Sequence, residues 1–488
     1  MGRMPRRILF VSSEVAPFAK TGGLADVSSA LPVALAQHGL DVRVFMPKYG
    51  SIDAVSAGFL ASTRWVESNL WDKSAKITLF QSKIPGSSVP IYFVSYDPFF
   101  DRPDLYQEDG KDYPDNLERF ALFCHVVLKR IRPDGWIPDI IHCNDWQTGL
   151  IPAIIAAYRS ENRLFRELKT LFTLHNIGYQ GLFPEDRLPL SGLQPWQFTI
   201  GGVEFYDSIS LLKAGLVYSD WITAVSPTYA EEIQTPEYGK GLEGVLQHYS
   251  DKLSGVLNGV DYSIWDPSND PVIAKNYSDT DLTGKAVCKQ ELQRECSLPI
   301  EPDVPILAVI SRLDDQKGFD LLSAILEDLL KLGVQFVMLG TGDAAYERYL
   351  TKLAEKYTYQ VAVNITFNDD LAHKIEAGAD IFLMPSKYEP CGLNQMYSLR
   401  YGTIPVVRRT GGLNDTVSEF DRSTGEGNGF TFTEYAPHAF YRAAMNALSV
   451  YWGNKDLWRQ IQQTGMRQDF SWDASAARYI ELYNHLSL

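Results

Sequence analysis

The chain carries the same four residues twice, each time where an apolar run gives way to a helix-forming one. Thr21-Gly22-Gly23-Leu24 follows the strand-like run Ile8–Ser12 and opens a helix over Leu24–Gln37. Thr410-Gly411-Gly412-Leu413 follows Ile404–Arg408 and opens another. A glycine pair lets backbone N–H groups approach a ligand closely, because no Cβ stands in the way. A helix N-terminus adds unpaired donors and the positive end of the helix dipole. Cations flank both turns: Lys20 at the first, Arg408 and Arg409 at the second. One such turn in each half predicts an anion, such as a nucleotide diphosphate, bound by two domains.

The pattern around the turns fits that reading. Apolar runs at Asp41–Phe45, Ile91–Ser95, Asp139–Cys143, Lys169–Leu174 and Trp221–Val225 alternate with helical runs. The alternation restarts with Ile306–Ser311, Gln335–Leu339, Val361–Phe367, Ile381–Met384 and Ile404–Arg408. Continuous Val/Ile/Leu/Phe runs are what parallel strands covered on both faces require. The expected fold is α/β with two doubly wound domains, ligands lying at the carboxyl ends of the strands. The Gly/Asn/Asp cluster Leu257–Asp261 marks the boundary. It gives an N-terminal domain over 1–257, a C-terminal domain over 258–468 and a final helical segment over 469–488.

Composition narrows the partners. The 488 residues carry a formal net charge of −15, which argues against nucleic acid or an anionic membrane surface. Five cysteines without a CxxC pair give no zinc or disulfide framework and fit a reducing cytosol. The apolar run behind the basic start Met1–Arg7 ends at Val11, too short for a secretory signal. Arg6 stands where a myristoylation signal needs Ser or Thr. No apolar run is long enough to span a membrane.

Several strand ends carry chemistry. Arg312 and Lys317 lie just after Ile306–Ser311, a planar fork and a point charge suited to a diphosphate. Glu389 heads the run Glu389-Pro390-Cys391-Gly392-Leu393, where a carboxylate can hold sugar hydroxyls or offset positive charge. His175 and Asn176 end Lys169–Leu174, and His142 and Asp145 end the preceding strand. Neutral His and Asn hydrogen-bond hydroxyls, and the two histidines lack a third metal ligand at recognisable spacing. Tyr96, Asp97, Phe99, Asp101, Tyr106 and Tyr113 combine aromatic faces with carboxylates, as carbohydrate binding requires. A dinucleotide-dependent dehydrogenase would need G-x-G-x-x-G after the first strand, and neither turn has that spacing.

Together these motifs resemble the bacterial glycogen synthase and plant starch synthase family. The resemblance rests on Lys20–Leu24 with Asp26, the Arg312/Lys317 pair, Glu389–Leu393 and Gly411–Leu413, and runs from Arg7 to Trp472. It implies a GT-B glycosyltransferase, two Rossmann-like domains facing a deep interdomain cleft. The reaction implied is transfer of glucose from ADP-glucose to the non-reducing end of an α-1,4-glucan, with retention and release of ADP. The alternative is a non-catalytic glucan-binding or granule-associated protein of the same fold. The resemblance assigns Glu389, Lys317, Arg312 and His175 to catalysis. It assigns Lys20, Gly22, Gly23, Asn176, Asn258, Phe367, Cys391, Gly392, Leu393, Thr410, Gly411 and Gly412 to ADP-glucose, with Phe367 against adenine. Asp26, Tyr96 and Asp145 fall on the acceptor side. It implies no cofactor and no metal, and partners limited to ADP-glucose, ADP and a maltooligosaccharide, glycogen or starch glucan. The expected location is the cytoplasm, with association to glucan particles or granules left open.

Overall fold

The computed structural model describes residues 7–53, 55–59, 64–68, 70, 75–131 and 135–486; the start of the chain through Arg6 and the last two positions lie outside them. Two compact units form. The first comprises Met1–Val225, Ala230–Gly259 and Trp472–Leu488, the second Ser226–Tyr229 and Val260–Ser471. The division thus falls two to three residues beyond the boundaries read from the sequence, and gives a four-residue segment of the first half to the second unit.

In the first unit, a nine-stranded sheet forms among the described residues. Its order is Leu253–Gly255, Trp221–Ala224, Lys169–Leu174, Ile140–Asn144, Arg7–Val11, Asp41–Pro47, Pro90–Ser95, Ala75–Lys83 and Arg64–Ser68. All pairs are parallel except the last two. The strand order reverses at Arg7–Val11, so the switch point lies beyond Val11 and Asn144, where α/β sheets hold ligands. The helix Trp472–Leu486 packs beside Gly23–Gln37. Its Tyr483 hydroxyl lies 2.8 Å from His142 Nδ1, and Ser475 Oγ donates to the Leu257 carbonyl at 2.7 Å.

In the second unit, six parallel strands run in the order Val361–Asn364, Gln335–Leu339, Ile306–Ile310, Ile381–Met384, Ile404–Arg408 and Phe430–Phe432. Alternate residues enter different cores. Leu307, Val309, Phe336, Met338, Ile381, Leu383, Ile404 and Val406 join one. Ile306, Ala308, Val337, Leu339, Phe382 and Val407 join the other. Burial of both faces explains why these runs are apolar without alternation. The switch point lies beyond Ile310 and Met384.

The two Thr-Gly-Gly-Leu turns differ in what surrounds them. A Cβ added at Gly22 or Gly23 would meet nothing within 4 Å. At Gly411, with φ +41°, a Cβ would fall 2.0 Å from the Glu389 carbonyl oxygen, and at Gly412 2.0 Å from that of Cys391. The Gly412 N–H already donates to the Glu389 and Pro390 carbonyls at 3.2 Å each. The symmetric reading of two open cradles therefore does not hold: the first turn is open, and the second is a packing joint under Glu389–Cys391. Gly411→Ala is expected to cost about 2 kcal/mol or more, from a forced φ and backbone overlap. Gly22→Ala, with open space around it, should cost less, on the scale of one N-cap change. Thermal unfolding of both variants checks this; equal midpoints would remove the distinction.

Candidate functional site

In the second unit, the loop after Ile306–Ile310 becomes a short 3₁₀ turn, Asp315–Lys317. The Asp314 side chain caps it by accepting from Lys317 N at 3.0 Å. Gly318 closes the turn at φ +77°, its would-be Cβ 2.1 Å from the Pro385 carbonyl oxygen. That close approach carries the Lys317 loop onto the loop after Ile381–Met384. Lys317 Nζ consequently sits 2.6 Å from Glu389 Oε2, with the two side chains 19% and 8% exposed. Ser386 Oγ donates to the same oxygen at 3.1 Å, and Glu389 Oε1 accepts no hydrogen bond among the described residues. Withdrawing two opposite charges from water gains little stability, so the pair is better explained by what it can do.

Arg312 stands at the edge of this group, its side chain 59% exposed and 3.6 Å from Asp314. Its fork remains open to solvent. Arg408, read from the sequence as a cation beside the second turn, is instead buried and committed to backbone. It donates to the Thr433 carbonyl at 3.1 Å and the Lys387 carbonyl at 2.6 Å. Cys391, Thr410, Gly411 and Gly412 are buried, and with Gln395 they support the Glu389 loop. Gln395 Nε2 donates to the Cys391 and Gly392 carbonyls at 3.1 Å. Leu393 is half-buried at the head of helix Asn394–Arg400. Phe367 lies beyond the end of Val361–Asn364, which is shorter than the strand expected from the sequence, and is 79% exposed.

In the first unit, the switch point gathers Glu14, Asp145 and His175. Asn144 Nδ2 donates to the Val11 carbonyl at 3.0 Å, which leaves Oδ1 facing His175 Nε2 at 2.9 Å. His175 therefore carries its proton on Nε2 and offers Nδ1 as an acceptor. Burial pushes it down to about 3, so it is neutral at physiological pH. Asp145 has φ +54° and ψ −179°, a region where side chains are strained and which clusters at functional sites. Its Oδ1 accepts from His175 N at 2.7 Å. Burial raises its carboxyl to about 7 against the opposing pull of the His175 and Asn176 amides.

Asn176 Oδ1 accepts from Gly178 N at 2.9 Å. Asn258 is buried, and its Oδ1 has no hydrogen-bond partner among the described residues. Tyr96 is half-buried with its ring edge-on to Phe99. Lys20 and Asp26, assigned to different substrates in the sequence reading, form an ion pair at 2.8 Å. His142 is fully engaged, its Nε2 2.6 Å from Thr173 Oγ1 and its Nδ1 on Tyr483. The sequence reading missed Glu14, Asp314, Ser386 and Gln395. For Glu14 a signal existed: a carboxylate three residues past a buried strand.

Comparison with known proteins identifies the family. Residues 7–248 match the starch synthase catalytic domain and residues 293–462 the glycosyl transferases group 1 family. The chain is 48% identical over 483 residues to a glycogen synthase of Anaeromyxobacter dehalogenans, covering 99% of each. It is 46% identical over 476 residues to one from Syntrophotalea carbinolica, covering 98% of each. The catalytic domain of starch synthase IV from Arabidopsis thaliana, bound to ADP and acarbose, superposes with a TM-score of 0.89 at 32% identity, covering 99% of this chain and 100% of that one. A sucrose-phosphate synthase from Thermosynechococcus elongatus shares the fold at TM-score 0.60 and 18% identity, covering 99% of each. The resemblance and the fold class expected from the sequence both stand: the chain belongs to the glycogen synthase and starch synthase family of GT-B glucosyltransferases.

Proposed function

We propose that the chain transfers glucose from ADP-glucose to the non-reducing end of an α-1,4-glucan with retention of configuration, releasing ADP. The observation that carries this reading is the Lys317–Glu389 pair at the switch point of the second sheet, with Arg312 beside it. Departure of ADP leaves negative charge on the diphosphate and positive charge on the sugar. A cation and a carboxylate fixed 2.6 Å apart oppose both changes without reorganising at the moment of reaction. Arg312 and Lys317 bind the diphosphate, and Glu389 holds the donor glucose. Phe367 offers an exposed face to adenine.

Gly392 and Leu393, on the Glu389 loop, border the donor, while Cys391, Thr410, Gly411 and Gly412 hold that loop in place. Lys20, Gly22 and Gly23 serve the phosphate side, and Asn176, Asn258 and the neutral His175 meet sugar hydroxyls. Asp26, Tyr96 and Asp145 serve the glucan acceptor. On this reading the side-chain cations supply the neutralisation and no metal or other cofactor takes part. The enzyme works in the cytoplasm on glycogen or starch-type glucan. Among the described residues no helix is long and apolar enough to cross a membrane.

The deciding assay offers labelled ADP-glucose or UDP-glucose to the purified protein with maltoheptaose. Elongation by α-1,4-linked glucose from ADP-glucose is expected; glucan binding without transfer would leave a non-catalytic binding protein instead. Lys317→Ala should lower kcat by about 100-fold, the scale of losing one preorganised charge donor. A raised KM with unchanged kcat would reduce Lys317 to a binding group. Because Asp145 is raised to about 7 and accepts a glucan hydroxyl's hydrogen bond most strongly when ionised, kcat/KM should rise as pH increases through about 7. Asp145→Asn should lose that limb; a pH profile that keeps it would remove Asp145 from the reaction.

A further inference from the structure

Glu14 has no part in the function as described, yet it is 3% exposed directly beyond the first strand. Three donors converge on its carboxylate. Thr21 N donates to Oε2 at 2.6 Å, Thr21 Oγ1 to Oε1 at 2.6 Å, and the Tyr106 hydroxyl to Oε1 at 2.7 Å. The Tyr106 oxygen also lies 2.8 Å from Ser13 Oγ. With the tyrosine proton committed to Glu14, Ser13 is the donor in that contact, and the chain runs Ser13 to Tyr106 to Glu14. An ionised carboxylate is acceptor-only and satisfies all three donors; a glutamine amide would aim N–H groups at one of them. Burial makes the mismatch costly.

The turn that Glu14 grips is open to solvent. Thr21, Gly22 and Gly23 are exposed, and a Cβ at either glycine would touch nothing within 4 Å. No side chain caps the helix at Gly22. The Lys20–Asp26 ion pair beside the turn is substantially solvent-exposed at both ends and so contributes little.

We propose that Glu14 is the positioning residue of the open glycine turn. It fixes the Thr21 backbone so that Gly22 and Gly23 begin the helix in one orientation. Through Tyr106 it ties that turn to the segment that carries Tyr96. The inference rests on the reading that this turn serves the donor phosphate.

Glu14→Gln keeps the side chain's size and removes its ability to accept from all three donors. Its kcat/KM for ADP-glucose should fall on the order of 10-fold or more, the scale of a charge-assisted hydrogen bond. Amide hydrogen exchange should speed up at residues 20–24 and stay unchanged in the strands of the same sheet. Thr21→Val removes one donor and leaves the carboxylate intact. Adding it to Glu14→Gln should cost less than it does in the wild type, since the two act through one contact.

Unchanged exchange at residues 20–24, additive kinetic losses, or protection lost across the whole sheet would each overturn the positioning role. The exchange measurement needs no turnover. If the wild type fails to use ADP-glucose, the functional reading falls while exchange still decides whether Glu14 holds the turn.

Discussion

Parallel pairing gives a sheet a direction, and that direction organises everything chemical in this molecule. Strands buried on both faces admit polar groups along their length only where those groups satisfy one another, as His142, Thr173 and Thr223 do. Polar side chains able to meet a ligand gather where the chain leaves the sheet, and the reversal of strand order opens a gap between two departing loops. Both sheets use the gap. Glu14, Asp145 and His175 stand beyond Arg7–Val11, Ile140–Asn144 and Lys169–Leu174 in the first unit. Arg312, Lys317 and Glu389 stand beyond Ile306–Ile310 and Ile381–Met384 in the second.

The three carboxylates at these gaps show how the choice of donor sets behaviour. Glu389 receives a lysine ammonium and a serine hydroxyl on one oxygen. Glu14 receives two hydroxyls and one amide. Asp145 receives only backbone amides, and burial outweighs them, lifting it to about 7. At Asp145 the desolvation of a buried carboxylate outweighs the amide dipoles that would otherwise favour its charge. Carboxylates thus meet a cation and a hydroxyl in one loop and backbone amides in another.

Much of this was legible in the sequence because parallel strands advertise themselves. Lys169–Leu174, Gln335–Leu339, Ile381–Met384 and Ile404–Arg408 were bounded to the residue, each an apolar run between turn signals. The antiparallel pair Arg64–Ser68 and Ala75–Lys83 was missed, its residues largely polar at the sheet edge. Helix Thr283–Glu295 was missed for a different reason. Its inward face carries Lys285 and Lys289, which break the apolar period. They are buried only because Thr403, backbone carbonyls and Asp380 receive them. Thr403, the Ala377 carbonyl and Asp380 lie about ninety or more residues away in the chain, so no local pattern announces them. The same limit governs the two glycine turns. Their four residues are identical, and only the distant Glu389–Cys391 backbone makes one of them a packing joint.

A chain of net charge −15 that is to hold a nucleotide diphosphate must separate local from global electrostatics. At physiological salt the field of distant charges decays within about 8 Å, so the overall acidity weighs little against groups in contact. Among those, Lys317 is already neutralised by Glu389 at 2.6 Å. Arg312 meets Asp314 only at 3.6 Å and is largely in water. On the proposed reading the two cations therefore divide the work. Arg312 supplies attraction to the arriving diphosphate, at little desolvation cost because its fork is exposed. Lys317 gains most when charge grows on the leaving group, since only then does a phosphate oxygen compete well with Glu389. The pair thus favours the transition state over the bound substrate, the differential that lowers a barrier rather than deepening the well before it.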